Sequence, residues 1–261
     1  MKILIMTDLE CVSGITTAAY MESGGPGLNV ARRNLTLDIN AAVEGCFKAN
    51  ASAVDVKLGH GPDTTLLDML DPRVQIVADR PGVNALNDTH DATMMLGQHA
   101  KAGTLNAFLE HTQCSRTVFE HRINGVELGE IGQWALMAGH FDIPVVFLAG
   151  DDAACREAEA LLPGIRTASV GTASGRESMT PRHQRDVHSD ITKRVEEAIR
   201  GLGKSTPAPY KLNPPYTVRI VFKHVQEADR LSRYRIDRRR LDGRTLEMTV
   251  ESPLDILALF L

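Results

Sequence analysis

The sequence predicts an α/β fold, namely a mostly parallel β-sheet with helices on both faces and a small C-terminal α+β lobe. Three observations predict it. Short apolar segments typical of buried strands recur along much of the chain. Amphipathic helical patterns separate several of these segments, which favours parallel strands joined by helical crossovers. A proline-rich stretch then precedes a last segment with strand and hairpin patterns of its own.

The predicted strands are short runs rich in apolar and β-branched residues. The first occupies residues 2–7 (KILIMT), and the others lie at 53–58, 74–78, 92–97 and 143–149. A hairpin is predicted over 117–128, because Asn124-Gly125 is a preferred pair for a two-residue type I′ turn. The glycine-rich loop 13–27 is interpreted as a plain connection, with a flap over the sheet as the alternative.

The predicted helices carry apolar residues on one face. The first runs from about Val30 to Asn50, with Leu35, Ile39, Val43 and Phe47 at four-residue spacing. Other helical patterns lie at 64–70, 129–140 and 152–162. A long helix is predicted after Thr180-Pro181, with the threonine as its cap and the proline in its first turn. Its apolar stripe is Val187, Ile191, Val195 and Ile199, and Gly201 closes it.

The proline-rich stretch 204–216 (KSTPAPYKLNPPY) divides the chain in this interpretation. Residues 1–203 form the predicted α/β domain, 204–216 a linker, and 217–261 a small C-terminal lobe that could equally belong to the same domain. The lobe is predicted to hold a strand at 217–223, a short helix, a hairpin turning at Asp242-Gly243 and an apolar end at 254–261.

Composition and charge exclude several classes of partner. A net charge of -4 favours neither nucleic acid nor an anionic membrane as a partner. No apolar run approaches the roughly 20 residues that span a bilayer, and Asp8 ends the first apolar run before it could form a signal-peptide core. The four cysteines, Cys11, Cys46, Cys114 and Cys155, are scattered without a CxxC pair. They predict no disulfide framework, so we expect a cytoplasmic protein.

Side chains that bind divalent metals follow three of the predicted strands. Asp8 and Glu10 follow the first strand, His60 the second, and His99 the strand at 92–97. Functional groups of open α/β sheets gather beyond the carboxyl ends of the strands. A cation would relieve the repulsion between Asp8 and Glu10, and carboxylates with imidazoles suit zinc better than manganese or iron. More than four ligands would allow two ions that share a carboxylate. Each residue taken alone also fits a structural or solvent-facing role.

Other features favour structural roles. Asp151-Asp152 is interpreted as the N-cap of the helix at 152–162. The arginine-rich stretch from Arg230 to Arg244 suggests a solvated face or a subunit interface, and Cys11 a small buried apolar residue. No glycine-rich phosphate loop follows the first strand and no GxSxG motif is present. A nucleotide-binding protein and a serine hydrolase are therefore disfavoured.

Several motifs, in one order and spacing, resemble the zinc-dependent D-aminopeptidase family (peptidase family M55). The opening, residues 6–14 (MTDLECVSG), corresponds to the pattern Ser-x-Asp-x-Glu-Gly-x-Ser-Gly of that family. The likeness continues at 97–102 (GQHAKA), at 123–132 (INGVELGEIG), and from 138–139 through 145–146 to 149–152 (AGDD). It covers residues 1–200 and, more weakly, the rest of the chain.

The resemblance implies metal ligands at Asp8, Glu10, His60, His99 and Glu130, with Asp8 bridging two zinc ions. It implies a catalytic role for His111, which is one residue further from His99 than in the family. Glu130 also fits a role at the positive end of a helix dipole.

The implied function is an aminopeptidase that hydrolyses the N-terminal residue of short peptides or amino-acid amides with a zinc-activated water. A preference for D-residues and a ring-shaped homo-oligomer are also implied. The alternative is a non-catalytic, metal-binding oligomeric scaffold or small-molecule binder of the same fold.

The sequence departs from the family pattern beside these residues. Met6 replaces a serine, Cys11 a glycine, Lys57-Leu58-Gly59 the family's Asn-Asp-Ser, and Glu110 a small residue. The implied ligands are all retained. The changes therefore bear on substrate preference more than on metal binding, since residues around a metal site orient its ligands.

Overall fold

The computed structural model describes residues 1–61, 64–79, 85–233 and 237–258. Its strands are β1 (Lys2–Thr7), β2 (Ala53–Lys57), β3 (Val74–Val77), β4 (Ala92–Gln98), β5 (Val118–Ile123), β6 (Val126–Glu127), β7 (Val145–Gly150), β8 (Arg166–Ser169), β9 (Gly171–Gly175), β10 (Ser178–Pro181), β11 (Tyr216–Phe222), β12 (Arg239–Arg240) and β13 (Thr245–Val250). The helices are α1 (Pro26–Lys48), α2 (Glu130–His140), α3 (Asp152–Leu161), α4 (Gln184–Arg200) and α5 (Val225–Ser232).

The main sheet has six strands in the order β3-β2-β1-β4-β7-β8, and all of its neighbouring pairs are parallel. From β1 the chain builds outward through β2 and β3 and then returns to add β4, β7 and β8 on the other side. The strand order thus reverses between β1 and β4. In open α/β sheets, the crevice beyond the carboxyl ends of the strands at such a point is the usual ligand site.

Helices cover both faces of this sheet, as the sequence predicted. Side chains alternate along β1, so that Ile3 and Ile5 belong to one buried cluster and Leu4 to another. Helices α1 and α4 complete the first cluster and pack against each other, whereas α2 and α3 complete the second. The predicted α/β class is therefore confirmed.

A second, antiparallel sheet has the order β12-β13-β11-β5-β6. It joins strands from before and after the proline-rich stretch, because β11 lies between β5 and β13. Helix α2 separates the two sheets, with Trp134 in the core of the main sheet and Leu136 in the core of the second. The division of the chain at 204–216 remains a prediction.

Both predicted hairpins form. Asn124 and Gly125 connect β5 to β6 with φ of 50° and 82°, as a turn with two left-handed residues requires. Asp242 and Gly243 lie between the paired strands β12 and β13. The apolar end predicted at 254–261 begins with a 3-10 turn, Pro253–Asp255, and its last three residues lie outside the described part of the chain.

Three predictions about helices were wrong: one predicted helix does not form, and two others begin elsewhere. The pattern at 64–70 forms only a 3-10 turn, Leu67–Met69. Helix α1 begins at Pro26, because a proline at the first helical position has no amide hydrogen to leave unpaired. Thr180-Pro181 does not open α4; these residues end β10, where Thr180 pairs with Thr172, and His183 caps the helix instead.

Strands β8, β9 and β10 were not predicted. The sequence of β9 is GTASG, whose small and polar residues carry no apolar pattern. The β9–β10 hairpin is anchored by contacts distant in sequence, such as the hydrogen bond from the Met179 amide to the Thr16 carbonyl (3.0 Å). Among the described residues, no helix is long and apolar enough to cross a membrane.

Candidate metal centre

The segment that follows β1 carries Asp8 and Glu10 and remains bonded to the end of β4. The Asp8 amide donates to the Leu96 carbonyl (2.7 Å) and the Cys11 amide to that of Gly97 (3.0 Å). Gly97 has a φ of 75°, and a Cβ there would lie 2.1 Å from the Asp8 carbonyl oxygen. Only glycine permits this approach, which brings both carboxylates against the strand that leads to His99.

His60 reaches the two carboxylates from the end of β2. Its Nδ1 lies 2.8 Å from Glu10 Oε1 and 3.4 Å from Asp8 Oδ1. The residue has a left-handed backbone with a φ of 58°, a conformation that side chains other than glycine adopt rarely. Such strain is concentrated at functional sites, where the surrounding structure enforces it.

His99 and His111 stack on each other, with ring centroids 3.9 Å apart and an interplanar angle of 14°. His99 Nδ1 contacts the Ala100 carbonyl at 2.9 Å and His111 Nδ1 the Leu109 carbonyl at 2.8 Å. Because a carbonyl can only accept, each Nδ1 carries the hydrogen and each Nε2 is left for another partner. These two Nε2 atoms face the acidic side chains.

Glu130 is the first residue of α2 and completes the cluster. Its Oε1 lies 3.5 Å from His99 Nε2 and 3.7 Å from His111 Nε2, and it accepts a hydrogen bond from the Gln113 amide (2.7 Å). The predicted location at the positive end of the helix dipole is correct, and the same location directs the carboxylate at the histidines.

The donor atoms form three overlapping groups whose members lie within 4.8 Å of one another. The groups are Asp8, Glu10 and His60; Asp8, His99 and Glu130; and Glu10, His99 and His111. His99 Nε2 is buried without a hydrogen-bond partner in the described structure and lies 3.6 Å from Asp8 Oδ2. An imidazole nitrogen and carboxylate oxygens that converge in this way are suited to hold a cation between them. The residues present therefore fit a divalent metal.

Asp8 and Glu10 have strongly shifted pKa values. Burial and then the charge of Glu10 raise the pKa of Asp8 to about 6. Burial acts in the same direction on Glu10, but hydrogen bonds with His60 and Asp8 outweigh it and lower the pKa of Glu10 to about 2. Adjacent groups whose pKa values move apart are typical of functional sites.

The pKa values of the histidines follow from the acidic groups around them. Burial lowers the pKa of His60, but hydrogen bonds with Asp8 and Glu10 raise it to about 10. Burial likewise lowers the pKa of His99, and the charges of Glu130, Glu10 and Asp8 raise it to about 9. Near neutral pH, His60 and His99 would therefore each hold an extra proton unless a cation balanced the charge of the carboxylates.

His111 behaves differently from the other two histidines. Burial and the charge of His99 lower its pKa below the ordinary value. The ring is then neutral near neutral pH, so that its Nε2 can accept a proton. His111 lies at the cavity wall, with about 13% of its side chain exposed, whereas His99 is fully buried.

Two buried acids, Asp38 and Asp151, hold the loops of the site in place. The sequence did not connect either of them with the site. Asp38 of α1 accepts from the Ser13 amide (2.9 Å), the Ser13 hydroxyl (2.6 Å) and His188 Nε2 of α4 (2.9 Å). Asp151 caps α3 as predicted, accepting from the Ala154 amide. These contacts join residues far apart in sequence, so no local pattern signals them.

Asp151 has a second partner, the Phe108 amide at 2.9 Å, and so fixes the loop that carries His111. Cys11 is fully buried, as predicted, and its Sγ lies 3.6 Å from the Phe108 carbonyl oxygen. Burial and the charge of Asp151 raise the pKa of this thiol well above its usual range, so it is unreactive and packs between the two loops.

A cavity of about 610 Å³ opens over the cluster. Its wall includes acidic and histidine side chains of the cluster, the 113–116 segment, and Met6, Met21, Leu109 and Arg176. Neither Arg116 nor Arg176 was predicted to belong to the site; Arg176 lies in the turn of the unpredicted β9–β10 hairpin.

The chain is similar in sequence and fold to known peptidases. A family model described as Peptidase M55, D-aminopeptidase, matches residues 1–261. A D-aminopeptidase of Bacillus subtilis is 29% identical over 220 residues, which cover 82% of this chain and 78% of the relative. A solved structure, described as the Zn-dependent D-aminopeptidase DppA from Bacillus subtilis, a self-compartmentalizing protease, superposes with a TM-score of 0.91 at 24% identity. The match covers all of this chain and 95% of that structure.

Proposed function

The chain belongs to the M55 peptidase family of D-aminopeptidases, and from this premise we propose that it is a zinc-dependent enzyme that releases the N-terminal residue of short peptides or amino-acid amides. The observation that carries the proposal is the convergence of three carboxylates and three histidines in overlapping groups at the switch point of the main sheet. The names of its relatives, a D-aminopeptidase and a Zn-dependent D-aminopeptidase, support the substrate class and the metal.

Five residues of the cluster would hold zinc in this proposal: Asp8, Glu10, His60, His99 and Glu130. Two ions per chain are supported by the number of donors, which exceeds the four that one tetrahedral zinc takes. Asp8 belongs to two of the donor groups, one with His60 and one with His99. Glu10 also belongs to two of these groups, so it is the family resemblance that favours Asp8 as the residue that would bridge two ions.

When bound, zinc supplies Lewis acidity towards a carbonyl oxygen and lowers the pKa of water. The chain's own contribution to proton transfer is His111. The Leu109 carbonyl fixes its Nδ1 hydrogen, and the lowered pKa leaves Nε2 available to accept a proton and then to return it to the departing amine. The same Nε2 could instead hydrogen-bond an oxyanion when protonated. The fully buried ring of His99, stacked at 3.9 Å, covers one face of the His111 ring.

A ring-shaped homo-oligomer in the cytoplasm completes the proposal. It is supported by the description of the structural relative as a self-compartmentalizing protease. The four cysteines are free, which agrees with a reducing compartment.

The decisive experiment measures zinc content and hydrolysis on the wild type, on Asp8→Ala and on Asp152→Ala, a matched control outside the cluster. D- and L-alanyl amides and dipeptides serve as substrates with zinc supplied. We expect about two zinc ions per chain, preferential release of D-alanine, and loss of both properties in Asp8→Ala only.

Hydrolysis of L-substrates alone would retain the site and remove the D-preference. Bound zinc without hydrolysis of any substrate would favour the non-catalytic scaffold or binder. A wild type that binds no zinc would contradict the proposal altogether.

A further inference from the structure

Two arginines share the cavity over the metal centre with its acidic cluster. Arg116 and Arg176 are both in the cavity wall, together with Asp8, Glu10 and Glu130. A wall with carboxylates in one part and guanidinium groups in another is suited to a ligand that carries both signs of charge. The acidic part is accounted for by metal binding, whereas neither arginine has a role in the reaction proposed above.

Arg176 is fixed at the wall by contacts of both its main chain and its side chain. Its carbonyl accepts from the Leu109 amide (2.8 Å), two residues before His111. Its Nε lies 3.6 Å from Glu110 Oε1, and the other oxygen of Glu110 accepts from the Gly103 amide (2.7 Å). Glu110 thus holds the Nε side of the guanidinium, and no described side chain pairs with the two terminal nitrogens, which leaves them for a ligand.

Arg116 is exposed and forms no ion pair with any described acidic side chain. It closes the 113–116 segment, whose first residue, Gln113, bonds through its amide to Glu130. The two arginines therefore belong to the two segments that carry or contact the catalytic groups. Both guanidinium groups lie in the wall of one cavity. Among the described acids none neutralises Arg116, and Glu110 neutralises Arg176 only in part.

We infer that Arg116 and Arg176 bind the free C-terminal carboxylate of the substrate, so that the preferred substrates are unblocked dipeptides rather than amides or longer peptides. The inference rests on the proposed function and specifies its substrate class. Arginine presents paired N–H donors that match a carboxylate, and such charge-assisted bonds are stronger than neutral ones. In a dipeptide only one residue, about 3.6 Å of extended chain at most, separates the scissile bond from the terminal carboxylate, so a carboxylate site that close to the reacting carbonyl selects peptides by length.

The test compares alanyl-alanine with alanyl-alanine amide, in the enantiomer that the wild type hydrolyses faster. These substrates differ only in the charge of the terminus. The variants are Arg176→Gln, Arg176→Lys, Arg116→Gln and the double glutamine variant. Arg185→Gln, an exposed arginine at the start of α4, is the matched control. Zinc content is measured for each, and calorimetry gives the affinity for both compounds independently of turnover.

We expect the ratio of kcat/KM for the dipeptide to that for the amide to fall roughly tenfold or more in each glutamine variant, through KM rather than kcat. The double variant should lose the most, Arg176→Lys should retain part of the ratio, and Arg185→Gln should retain all of it. Calorimetry should show the same order for dipeptide binding, with zinc content unchanged.

An equal loss on both compounds would overturn the inference, because the arginines would then only support the loops. An unchanged ratio in the double variant would also overturn it. If the wild type hydrolyses neither compound, the proposed function fails by itself. In that case, selective binding of the dipeptide that disappears in the double variant would still establish the carboxylate site. Equal binding of both compounds would rule that site out.

Discussion

His111 is held so that one ring nitrogen is committed to the backbone while the other faces the cavity. Its partner His99 has the same arrangement but is completely buried. The stacked pair therefore places two similar rings in different environments. The buried ring is surrounded by carboxylates, as a ligand would be, and the ring at the wall is accessible to a substrate.

Replacing His111 by alanine should lower turnover by roughly 10²–10⁴-fold, the usual contribution of a general acid or base. Zinc content should stay at the wild-type level, because the five proposed ligands are unchanged. Steady-state kinetics and elemental analysis check the two expectations. His140→Ala, which removes an exposed histidine at the end of α2, should alter neither quantity. Loss of zinc from the His111 variant would identify this residue as a ligand.

The residues of the candidate site differ in how far the sequence predicts them. Asp8, Glu10, His60 and His99 follow strands, and parallel strands bring such residues to one edge of the sheet. Glu130 begins a helix and His111 lies in a loop, so only the family resemblance indicated them. Their ligand and catalytic roles remain predictions, whereas their proximity is a property of the structure.

At the scale of elements, α1 and α4 restrain the loop that carries the first two acids. Asp38 on α1 is 1% exposed and accepts three hydrogen bonds, two from Ser13 and one from His188 on α4. Ser13 is three residues beyond Glu10. The helix pair thus fixes the main chain of the loop at Ser13.

Asp38→Asn should destabilise the protein by about 2–3 kcal/mol, since it weakens charge-assisted hydrogen bonds to a buried group. It should also weaken zinc binding, because the loop of Glu10 is no longer held. Asp55→Asn is the matched control, since Asp55 is also buried and pairs with His90 (3.0 Å) and Lys2 (2.8 Å), near the start of β1. Denaturant unfolding and zinc titration separate the effects. Equal zinc affinities for the two variants would refute a positioning role for Asp38.

The elements that the sequence predicted well are those whose signals are local. The stripe of α4 from Val187 to Ile199 is buried as predicted, and Asn124-Gly125 forms its turn. Thr180-Pro181 has the composition of a helix start, yet its residues are paired with β9 across the hairpin. Tertiary pairing overrides a local cap when the neighbouring strand satisfies the same backbone groups.

At the scale of the whole molecule, a buried histidine makes stability depend on pH at a distance from the metal centre. His121 is on β5 in the second sheet and is 1% exposed. Burial lowers its pKa to about 4, and a backbone hydrogen bond at Ile256 offsets only part of this effect. The folded protein therefore keeps this ring neutral at pH values at which the unfolded chain protonates it.

The free energy of unfolding should fall as pH decreases from about 6.5 to about 4, because the unfolded state then binds one more proton at this position. The loss from His121 should approach roughly 3 kcal/mol at the lower limit. His121→Leu removes this group, so its stability should depend less steeply on pH in that range. Urea unfolding of the wild type and of His121→Leu, both with a chelator present, measures the difference between the two slopes. The acids of the metal centre affect both proteins equally and therefore cancel. Parallel pH curves would show that the ring takes up its proton at the same pH in the folded and unfolded states, which would contradict a lowered pKa.

The second sheet also has a consequence for synthesis on the ribosome. The hairpin of β5 and β6 is synthesised well before the strand that pairs with it. That strand is β11, in which Val218 lies opposite Ile123 of β5, and it is made about a hundred residues later. At translation rates of about 5–20 residues per second, the nascent hairpin waits on the order of 5–20 s for that strand. During this time its open edge is available to other chains, so a chaperone or a neighbouring nascent copy would meet β5 before its own β11 does.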